Sequence, residues 1–144
     1  QRFYADITAF IRAQFSPQQA VILMGDFNVA PADIDIGIGE DNRKRWLRDG
    51  HCSFLPEERD WYAALSHWGF IDTWSHLHPQ VADRFSLFDY RSHGFDKEPR
   101  RGLRIDMILA SQALAPLVQA VGIDYEARAM ARPSDHCPLW LDLE

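Results

Sequence analysis

The uninterrupted apolar run from Ala20 to Met24 is the strongest single feature of the hydrophobic pattern. A continuous run of this kind predicts a strand that is buried on both faces. It ends abruptly at Gly25, and the polar residues Asp26 and Asn28 follow directly. Because ligands of open α/β sheets bind at the carboxyl ends of strands, this carboxylate and this amide form a candidate site. The alternative is a plain turn in which both side chains satisfy local backbone donors.

Apolar residues spaced three and four positions apart predict three helices. The helices are expected over Arg2–Phe15, over Glu40–Arg48 and from Pro56 to Trp68, with Gly69 just past the end of the third. Further apolar stretches predict strands over Phe70–Trp74, Arg84–Tyr90, Leu103–Ala110, Leu117–Tyr125 and Cys137–Leu143, with loops at Pro31–Gly39 and Ser92–Gly102. This mixture of helices and strands predicts a layered α/β fold.

Asp106 is anomalous within its predicted strand. A carboxylate is costly to bury unless it is paired or hydrogen-bonded. We therefore expect Asp106 either to face solvent or to have a partner.

The chain of 144 residues fits a single domain, and its formal net charge is -6. An acidic chain is a poor candidate for coating nucleic acid through bulk electrostatics, but a nuclease with acidic site residues is compatible with this charge. Two basic clusters are either nucleic-acid contacts or solvated faces. They are Arg43, Lys44, Arg45 and Arg48, and Lys97, Arg100, Arg101 and Arg104.

The two cysteines, Cys52 and Cys137, are too few for a disulfide framework or a cysteine-based zinc site. His76 and His78 lack further ligands at zinc-like spacing, so we interpret them as solvent-facing loop residues. No secretory, lipidation or membrane segment is visible. These features predict an intracellular, cytoplasmic protein without a membrane partner.

The candidate reactive groups are Asp26 and Asn28 after one strand, Asp106 within another, and Asp135 with His136 before a third. Carboxylates bind Mg²⁺ or activate water, and an imidazole contacts a phosphate when a further carboxylate orients it. This chemistry fits phosphodiester hydrolysis. The alternative is a set of separate structural carboxylates, because their spacing along the chain does not bring them together in space.

Four ordered motifs resemble those of the exonuclease III family of abasic-site endonucleases. They are Gly25-Asp26-Phe27-Asn28, Phe88-Asp89-Tyr90-Arg91, Gly102-Leu103-Arg104-Ile105-Asp106 and Ser134-Asp135-His136. The stretches Asp35–Trp46 and Trp46–Trp61 also resemble bacterial exonuclease III, so the similarity covers essentially the whole chain. That family belongs to the endonuclease/exonuclease/phosphatase superfamily, which has a four-layered α/β sandwich. The resemblance implies that this chain forms half of such a sandwich, with a mixed, mainly antiparallel sheet and flanking helices.

The resemblance also implies a role for each candidate reactive group. Asp26 would deprotonate or position the attacking water, and Asn28 would help to hold that water or the phosphate. His136 would bind the scissile phosphate, and Asp106 would pair with His136. Asp135 would lie at the metal site, together with Asp26 and Asn28, and the ion would be Mg²⁺ or Mn²⁺.

Substrate contacts are implied for a second set of positions. Leu103 and Ile105 match positions that line the pocket for an extruded abasic sugar, where an apolar wall excludes an intact base by shape. Tyr90 and Arg91 lie in a segment expected close to the DNA. Leu87 stands where bacterial exonuclease III has a tryptophan, so this chain departs from the family's pattern there.

The family's domain is nearly twice as long as this chain. Residues 1–144 resemble the C-terminal part of a single domain, and the preceding half would carry an asparagine, the principal metal-binding glutamate and a tyrosine near the phosphate. An intact protein of this kind would cut duplex DNA on the 5′ side of abasic sites and clean or shorten 3′ ends. Without the missing N-terminal half we expect the chain to be inactive or nearly so. We also expect self-association or poor solubility, because an apolar face would be exposed.

Two other interpretations remain open at this point. The chain is alternatively a non-catalytic fragment, or a complementing half, that binds DNA or its partner half. A weaker alternative keeps the superfamily but changes the substrate to a phosphoinositide, a sphingolipid or a nucleotide.

Overall fold

Helices and strands follow one another along the whole chain in the computed structural model, which describes residues 2–51 and 53–144. The helices are α1 (Arg2–Gln14), α2 (Glu40–Asp49), α3 (Pro56–Ser66), α4 (Thr73–Leu77) and α5 (Tyr125–Arg128). The strands are β1 (Ile22–Asp26), β2 (Phe70–Asp72), β3 (Asp106–Ser111), β4 (Val118–Ile123) and β5 (Leu139–Leu143). Short 3-10 turns lie at Asp33–Asp35, Gly94–Asp96 and Ala115–Leu117. This architecture confirms the predicted α/β class of antiparallel sheets with flanking helices.

The strands form two antiparallel sheets. In the first, β3 lies between β1 and β2, and in the second β4 pairs with β5. The last pair of the β1–β3 register joins Asp26 to Asp106. The sheet therefore places the two strongest candidate carboxylates directly opposite one another.

The main apolar core lies between the first sheet and the helices α1 and α3. Its most deeply buried members on the sheet are Met107 and Leu109, and Leu65 of α3 is fully buried against them. Burying a side chain of this size contributes about 1.5 to 3 kcal/mol. This packing fixes the position of β3, and with it the position of Asp106 at its beginning.

Strand β1 is not buried on both faces, so that prediction is wrong. Leu23 packs against the core, but Ile22 is 40% exposed and Met24 is 62% exposed. Side chains alternate between the two faces of a strand, and β1 lies at the edge of its sheet. One face of β1 therefore meets α1 and α3, whereas the other presents apolar side chains to solvent. No helix within the described residues is long and apolar enough to span a membrane.

Two other predicted strands differ from the observed elements, each for its own reason. The strand from Phe70 ends at Asp72, whose carboxylate accepts a hydrogen bond from the Trp74 backbone N–H at 3.2 Å and caps α4. His76 consequently lies in a helix and not in a loop.

The stretch predicted as a strand around Leu87 contains only isolated bridges. Both Ser86 and Leu87 donate their backbone N–H groups to the carbonyl of Leu103. Two residues opposite one partner interrupt a regular ladder, as in a β-bulge.

Arg104 does not belong to a surface basic cluster. Its side chain is 1% exposed, with Nε 2.7 Å from Asp35 Oδ1 and Nη2 2.6 Å from Asp72 Oδ2. Burial opposes the guanidinium charge, but the carboxylates of Asp72 and Asp35 outweigh it and raise the pKa of Arg104. The buried ion pairs join the segment before Asp106 to the end of β2 and to the turn at Asp33–Asp35.

The structure shows the state of one of the two cysteines. Cys137 is a buried free thiol, and burial raises its pKa to about 12. Cys52 lies outside the described residues.

We expect Asp35→Asn to lower the free energy of unfolding by about 3 kcal/mol, because removing one partner leaves part of a buried charge uncompensated. Asp33→Asn is the matched control, since Asp33 pairs with Arg59 and Arg43 but its side chain is 67% exposed. An exposed pair contributes about 1 kcal/mol or less. Urea denaturation of the two variants measures both values, and equal losses would contradict a structural role for the buried network.

Candidate active site

The register of β1 and β3 brings two acidic side chains together. Asp26 and Asp106 are direct cross-strand partners, and such partners have Cβ atoms about 4.5 to 5.5 Å apart. Like charges at this separation destabilise a sheet unless something neutralises them. The pair therefore requires a proton, a cation or a basic side chain.

His136 supplies the neighbouring basic group. Its Nδ1 atom lies 3.1 Å and 2.9 Å from the two carboxylate oxygens of Asp106, and its Nε2 atom lies 3.9 Å from Asp26 Oδ2. The imidazole thus spans the two carboxylates. The structure gives Asp106 the partner that its place in an apolar strand required.

The loop that carries His136 is held by backbone hydrogen bonds on both sides. The backbone N–H of Phe88 donates to the carbonyl of Asp135 at 2.8 Å, and that of Cys137 donates to the carbonyl of Ser86 at 2.7 Å. The Ser134 hydroxyl accepts a hydrogen bond from the His136 N–H at 3.1 Å. These bonds fix the imidazole relative to the segment at Ser86–Phe88.

Ser86 links that segment to Asp106. Its fully buried hydroxyl oxygen accepts hydrogen bonds from the backbone N–H groups of Ile105 and Asp106, each at 3.0 Å. Its carbonyl is the acceptor for Cys137, the residue after His136. One buried serine therefore bonds to the backbones beside both members of the Asp106–His136 pair.

Burial and charge shift the pKa values of this pair. Burial raises the pKa of Asp106, and it does so against the opposing effect of the hydrogen bond from His136. For His136, burial alone would lower the pKa, but the bond to Asp106 and the charges of Asp106, Asp26 and Asp135 outweigh burial and raise it. The imidazole is consequently held in its protonated, donating form to a higher pH than an ordinary histidine.

Asp26 and Asn28 form the turn that the sequence offered as the plain alternative, and Asp26 also belongs to the group with Asp106 and His136. The backbone N–H of Asn28 donates to Asp26 Oδ1 at 2.7 Å, and Asn28 adopts a positive φ of 54°. The side chain of Asp26 remains 48% exposed. The turn therefore holds one carboxylate oxygen and leaves the group open to a ligand.

Tyr4 of α1 supports the same turn from the core side. Its hydroxyl donates to the carbonyl of Phe27, the residue between Asp26 and Asn28. Burial, with smaller effects from the charges of Asp26 and Glu58, raises its pKa. Tyr4 is therefore a hydrogen-bond donor at any ordinary pH.

Asp26, Asp106 and His136 are the described residues that form a candidate metal-binding group, each offering one ligand atom within 4.8 Å of the others. Asp135 is not part of that group, although its charge acts on His136. Mg²⁺ prefers oxygen ligands and retains several waters. Because both oxygens of Asp106 already face the imidazole, the more available oxygen ligand in this group is Asp26.

The predicted substrate-contact residues divide into buried and exposed sets. Leu103 and Ile105 are 3% and 2% exposed and pack in a cluster with Phe54, against which Leu87 also packs. Tyr90 and Arg91 are exposed, and the Tyr90 hydroxyl donates to the carbonyl of Pro133. Their contacts with a substrate remain predictions.

Sequence reasoning missed the residues that support the site. No local signal distinguishes Ser86 from any other serine. Arg104 did carry a signal, because a guanidinium beside an apolar strand requires partners for the same reason as Asp106. Grouping it with neighbouring basic residues obscured that signal.

In chain free of divalent ions, we expect the pKa of His136 to exceed the ordinary histidine value of about 6.5. Asp106→Asn should lower it, because the substitution removes the negative charge bonded to Nδ1. The stability contributed by this shift is fully present below about pH 6.5 and is lost as the pH rises through the folded-state pKa. Titration of the His136 ring resonances by NMR measures the shift, with Asp142→Asn on β5 as the control, and an unchanged His136 pKa in Asp106→Asn would contradict the assigned cause.

Comparison with known proteins identifies the family of this chain. Exodeoxyribonuclease III from Haemophilus influenzae is 51% identical over 144 residues, which cover 100% of this chain and 53% of that protein. A 3′ phosphatase, NExo, from Neisseria, solved bound to a product DNA hairpin, has a TM-score of 0.86 and 34% identity over 99% of this chain and 52% of that one. An AP endonuclease from Archaeoglobus fulgidus has a TM-score of 0.88 and 27% identity over the same shares.

The chain thus spans about half the length of these relatives. A family model described as the Endonuclease/Exonuclease/phosphatase family matches residues 1–136, which is nearly the whole chain. The chain belongs to the Endonuclease/Exonuclease/phosphatase family.

Proposed function

We propose that this chain provides catalytic residues of a DNA-repair phosphodiesterase. The reaction is divalent-metal-dependent hydrolysis on the 5′ side of abasic sites, together with 3′-to-5′ exonuclease and 3′-end-cleaning activity. The observation that carries the proposal is the convergence of Asp26, Asp106 and His136 within 4.8 Å at the end of one sheet. The activities named for the Haemophilus, Neisseria and Archaeoglobus relatives support the choice of DNA as the substrate.

His136 is proposed to bind the scissile phosphate through Nε2. Its Nδ1 is engaged by Asp106, so a proton on Nε2 is available to a ligand on the side where Asp26 lies. Negative charge grows on the phosphate oxygens in the transition state, and a donor fixed beforehand stabilises that charge. Asp106 keeps the imidazole protonated and correctly oriented, and does not itself contact the substrate.

Asp26 is proposed to orient or deprotonate the attacking water, and Asn28 to hold that water or the phosphate. Oδ1 of Asp26 accepts the N–H of Asn28, which leaves Oδ2 free on the side of His136. General-base assistance of this kind contributes about 10²- to 10⁴-fold to a rate. The 3.9 Å between Oδ2 and Nε2 places a base and a phosphate donor next to the same small space.

Mg²⁺ or Mn²⁺ is the proposed cofactor. Asp26 is the group best suited to hold it, and Asp135 is a further ligand that the family resemblance implies. The resemblance also implies Asn28, but its Oδ1 already accepts a hydrogen bond from Ser53, so Asn28 is not proposed as a ligand. A bound divalent ion would supply neutralisation of phosphate charge. Asp135 lies close enough for its charge to act on His136.

DNA is proposed to approach over a hollow between α2 and the loop before Gly102. The hollow has a volume of about 240 Å³, and Arg45, Lys97 and Arg101 line it. Lys97 and Arg101 have no salt bridge with the described residues, whereas Arg43 and Arg48 are paired with acidic neighbours. Unpaired cations gain most from a phosphate, because binding releases counterions from the DNA. One basic residue from α2 and two from the later loop thus converge as a local cationic surface on an acidic chain.

Selection of an abasic nucleotide is proposed to depend on the apolar cluster of Leu103, Ile105 and Phe54, against which Leu87 packs. Leu103 and Ile105 form its buried base, and Leu87 is half-buried above them. An apolar wall of fixed shape admits a sugar without a base more readily than an intact nucleotide.

The alternative function is a non-catalytic fragment or complementing half that binds DNA or the missing N-terminal half. The observation that favours it is the exposed apolar face of β1 at Ile22 and Met24. Exposed apolar side chains on a sheet are typical of a surface that another element covers. The two functions differ in whether the associated halves hydrolyse DNA.

We expect the chain alone to be inactive, or nearly so, on a labelled duplex that carries one abasic analogue, in the presence of Mg²⁺. Mixing it with the N-terminal half of the Haemophilus relative should give cleavage on the 5′ side of the analogue. Asp26→Asn and His136→Gln should each reduce the rate of the mixture by about 10²- to 10⁴-fold. Asp142→Asn, an exposed carboxylate on β5, is the matched control and should leave the rate unchanged.

The association of the two halves is measured separately by sedimentation. A mixture that associates but does not cleave would leave DNA or partner binding as the function. Cleavage by the chain alone that Asp26→Asn abolishes would instead contradict the need for a second half.

For DNA binding, we expect Lys97→Ala and Arg101→Ala each to reduce the slope of log affinity against log salt concentration by about 1, because each removes one phosphate contact. Arg12→Ala on α1 is the control, since α1 contributes nothing to this hollow. Fluorescence anisotropy with duplex DNA between low and moderate salt measures the slopes. Equal slopes in all three variants would exclude this hollow from the DNA interface.

A further inference from the structure

Ser53 occupies a strained backbone position and bonds to Asn28, one of the proposed site residues. Its φ angle is 97°, a conformation that residues with a side chain rarely adopt and that glycine adopts freely. Such strain persists only where surrounding contacts hold it, and it is concentrated at functional sites. Ser53 is also buried, with 4% of its surface exposed.

Hydrogen bonds to other described residues hold the backbone of Ser53 in this conformation. Its N–H donates to Glu58 Oε1 at 2.9 Å, and the same oxygen accepts the N–H of Leu55 at 3.1 Å. Its carbonyl accepts the N–H of Ala30 at 2.6 Å. Glu58 is a buried residue of α3, so the strained residue is anchored to a helix of the main core.

The side chain of Ser53 reaches one of the proposed site residues. Its hydroxyl donates to Asn28 Oδ1 at 3.2 Å. Ser53 therefore bonds to Ala30 through its carbonyl and to Asn28, two residues earlier, through its side chain. Together these bonds join the turn after β1 to the segment before α3.

We infer that Ser53 is a positioning residue that determines which end of the Asn28 carboxamide faces the active site. With Oδ1 bonded to Ser53, the Nδ2 group is the end left for the site, and it carries two N–H donors. Asn28 then acts as a hydrogen-bond donor to the attacking water or to the phosphate. It does not act as a metal ligand through Oδ1. This inference rests on the proposed function for the role of Asn28, but the orientation of the amide is independent of it.

The inference explains why a serine occupies a position that suits glycine. Glycine would relieve the backbone strain but would remove the hydroxyl that fixes Asn28. Stability and positioning therefore make opposite demands at residue 53, and variants can separate them.

Three variants at this position test the inference in the complemented nuclease. Ser53→Gly and Ser53→Ala both lack the hydroxyl and should lower kcat by a similar factor of about 10, with little change in KM. Ser53→Gly should melt at a higher temperature than Ser53→Ala, because only glycine relieves the strain. Ser53→Thr keeps the hydroxyl and the strain, and should retain most of the activity despite the lowest Tm of the three. Activity that instead follows the order of Tm would overturn the inference, and Ser66→Ala at the end of α3 is the matched control.

A second measurement does not depend on activity. In the chain itself, the side-chain amide resonances of Asn28, assigned by their loss in Asn28→Asp, should shift in both Ser53→Gly and Ser53→Ala but not in Ser53→Thr. Unchanged resonances in the Gly and Ala variants would overturn the inference. Absence of cleavage by the unsubstituted mixture, with the amide shifts present, would instead count against the proposed function alone.

Titration with Mn²⁺ tests the choice between donor and ligand. Asn28→Ala should leave the affinity for Mn²⁺ unchanged, whereas Asp26→Asn should weaken it. Equal weakening by the two variants would assign Asn28 to the metal and overturn the donor role.

Discussion

The repulsion between two facing carboxylates is the constraint on which the site depends. Strand pairing places Asp26 opposite Asp106, and neither can move away without breaking the β1–β3 register. Register is strongly specified here, because a shift by one residue would turn the buried side chains of β3 out of the core. His136 relieves the repulsion by lying between the two acids. The core packing therefore holds two carboxylates together, and His136, in the loop before β5, supplies the basic group that lies between them.

A second group of opposite charges lies next to the site, around the buried Arg104. Arg104 is buried between Asp35 and Asp72, and each of these acids lies on a different segment. A buried ion network is weak evidence for stability, since well-packed apolar residues often serve as well. The network instead fixes the backbone at Arg104, which lies between Leu103 and Ile105 and two residues before Asp106.

The sequence predicted the elements whose signal is local. The three longest helices, α1, α2 and α3, were predicted close to their observed bounds, and α2 ends at Gly50 with a positive φ of 73°. The short helices α4 and α5 were not predicted. The partner of Asp106 could be anticipated, because the cost of an unpaired buried carboxylate does not depend on the fold. By contrast, the extent of the stretch around Leu87 could not be predicted, because two of its N–H groups share a carbonyl that is distant in sequence. The roles of Ser86 and Ser53 depend wholly on tertiary contacts, and the residues next to them carry no pattern that reveals such contacts.

A hollow beside β1 is lined both by the site residue Asp106 and by the exposed apolar residue Met24. Met24, Asp106, Ile108 and Leu139 line this hollow, which has a volume of about 150 Å³, and Met24 is largely exposed. A protein surface that filled this hollow would cover both Met24 and Asp106. The local dielectric would fall, and charge interactions around the carboxylate would strengthen accordingly. Assembly on this face would thus act on proton affinity at the site without contacting His136.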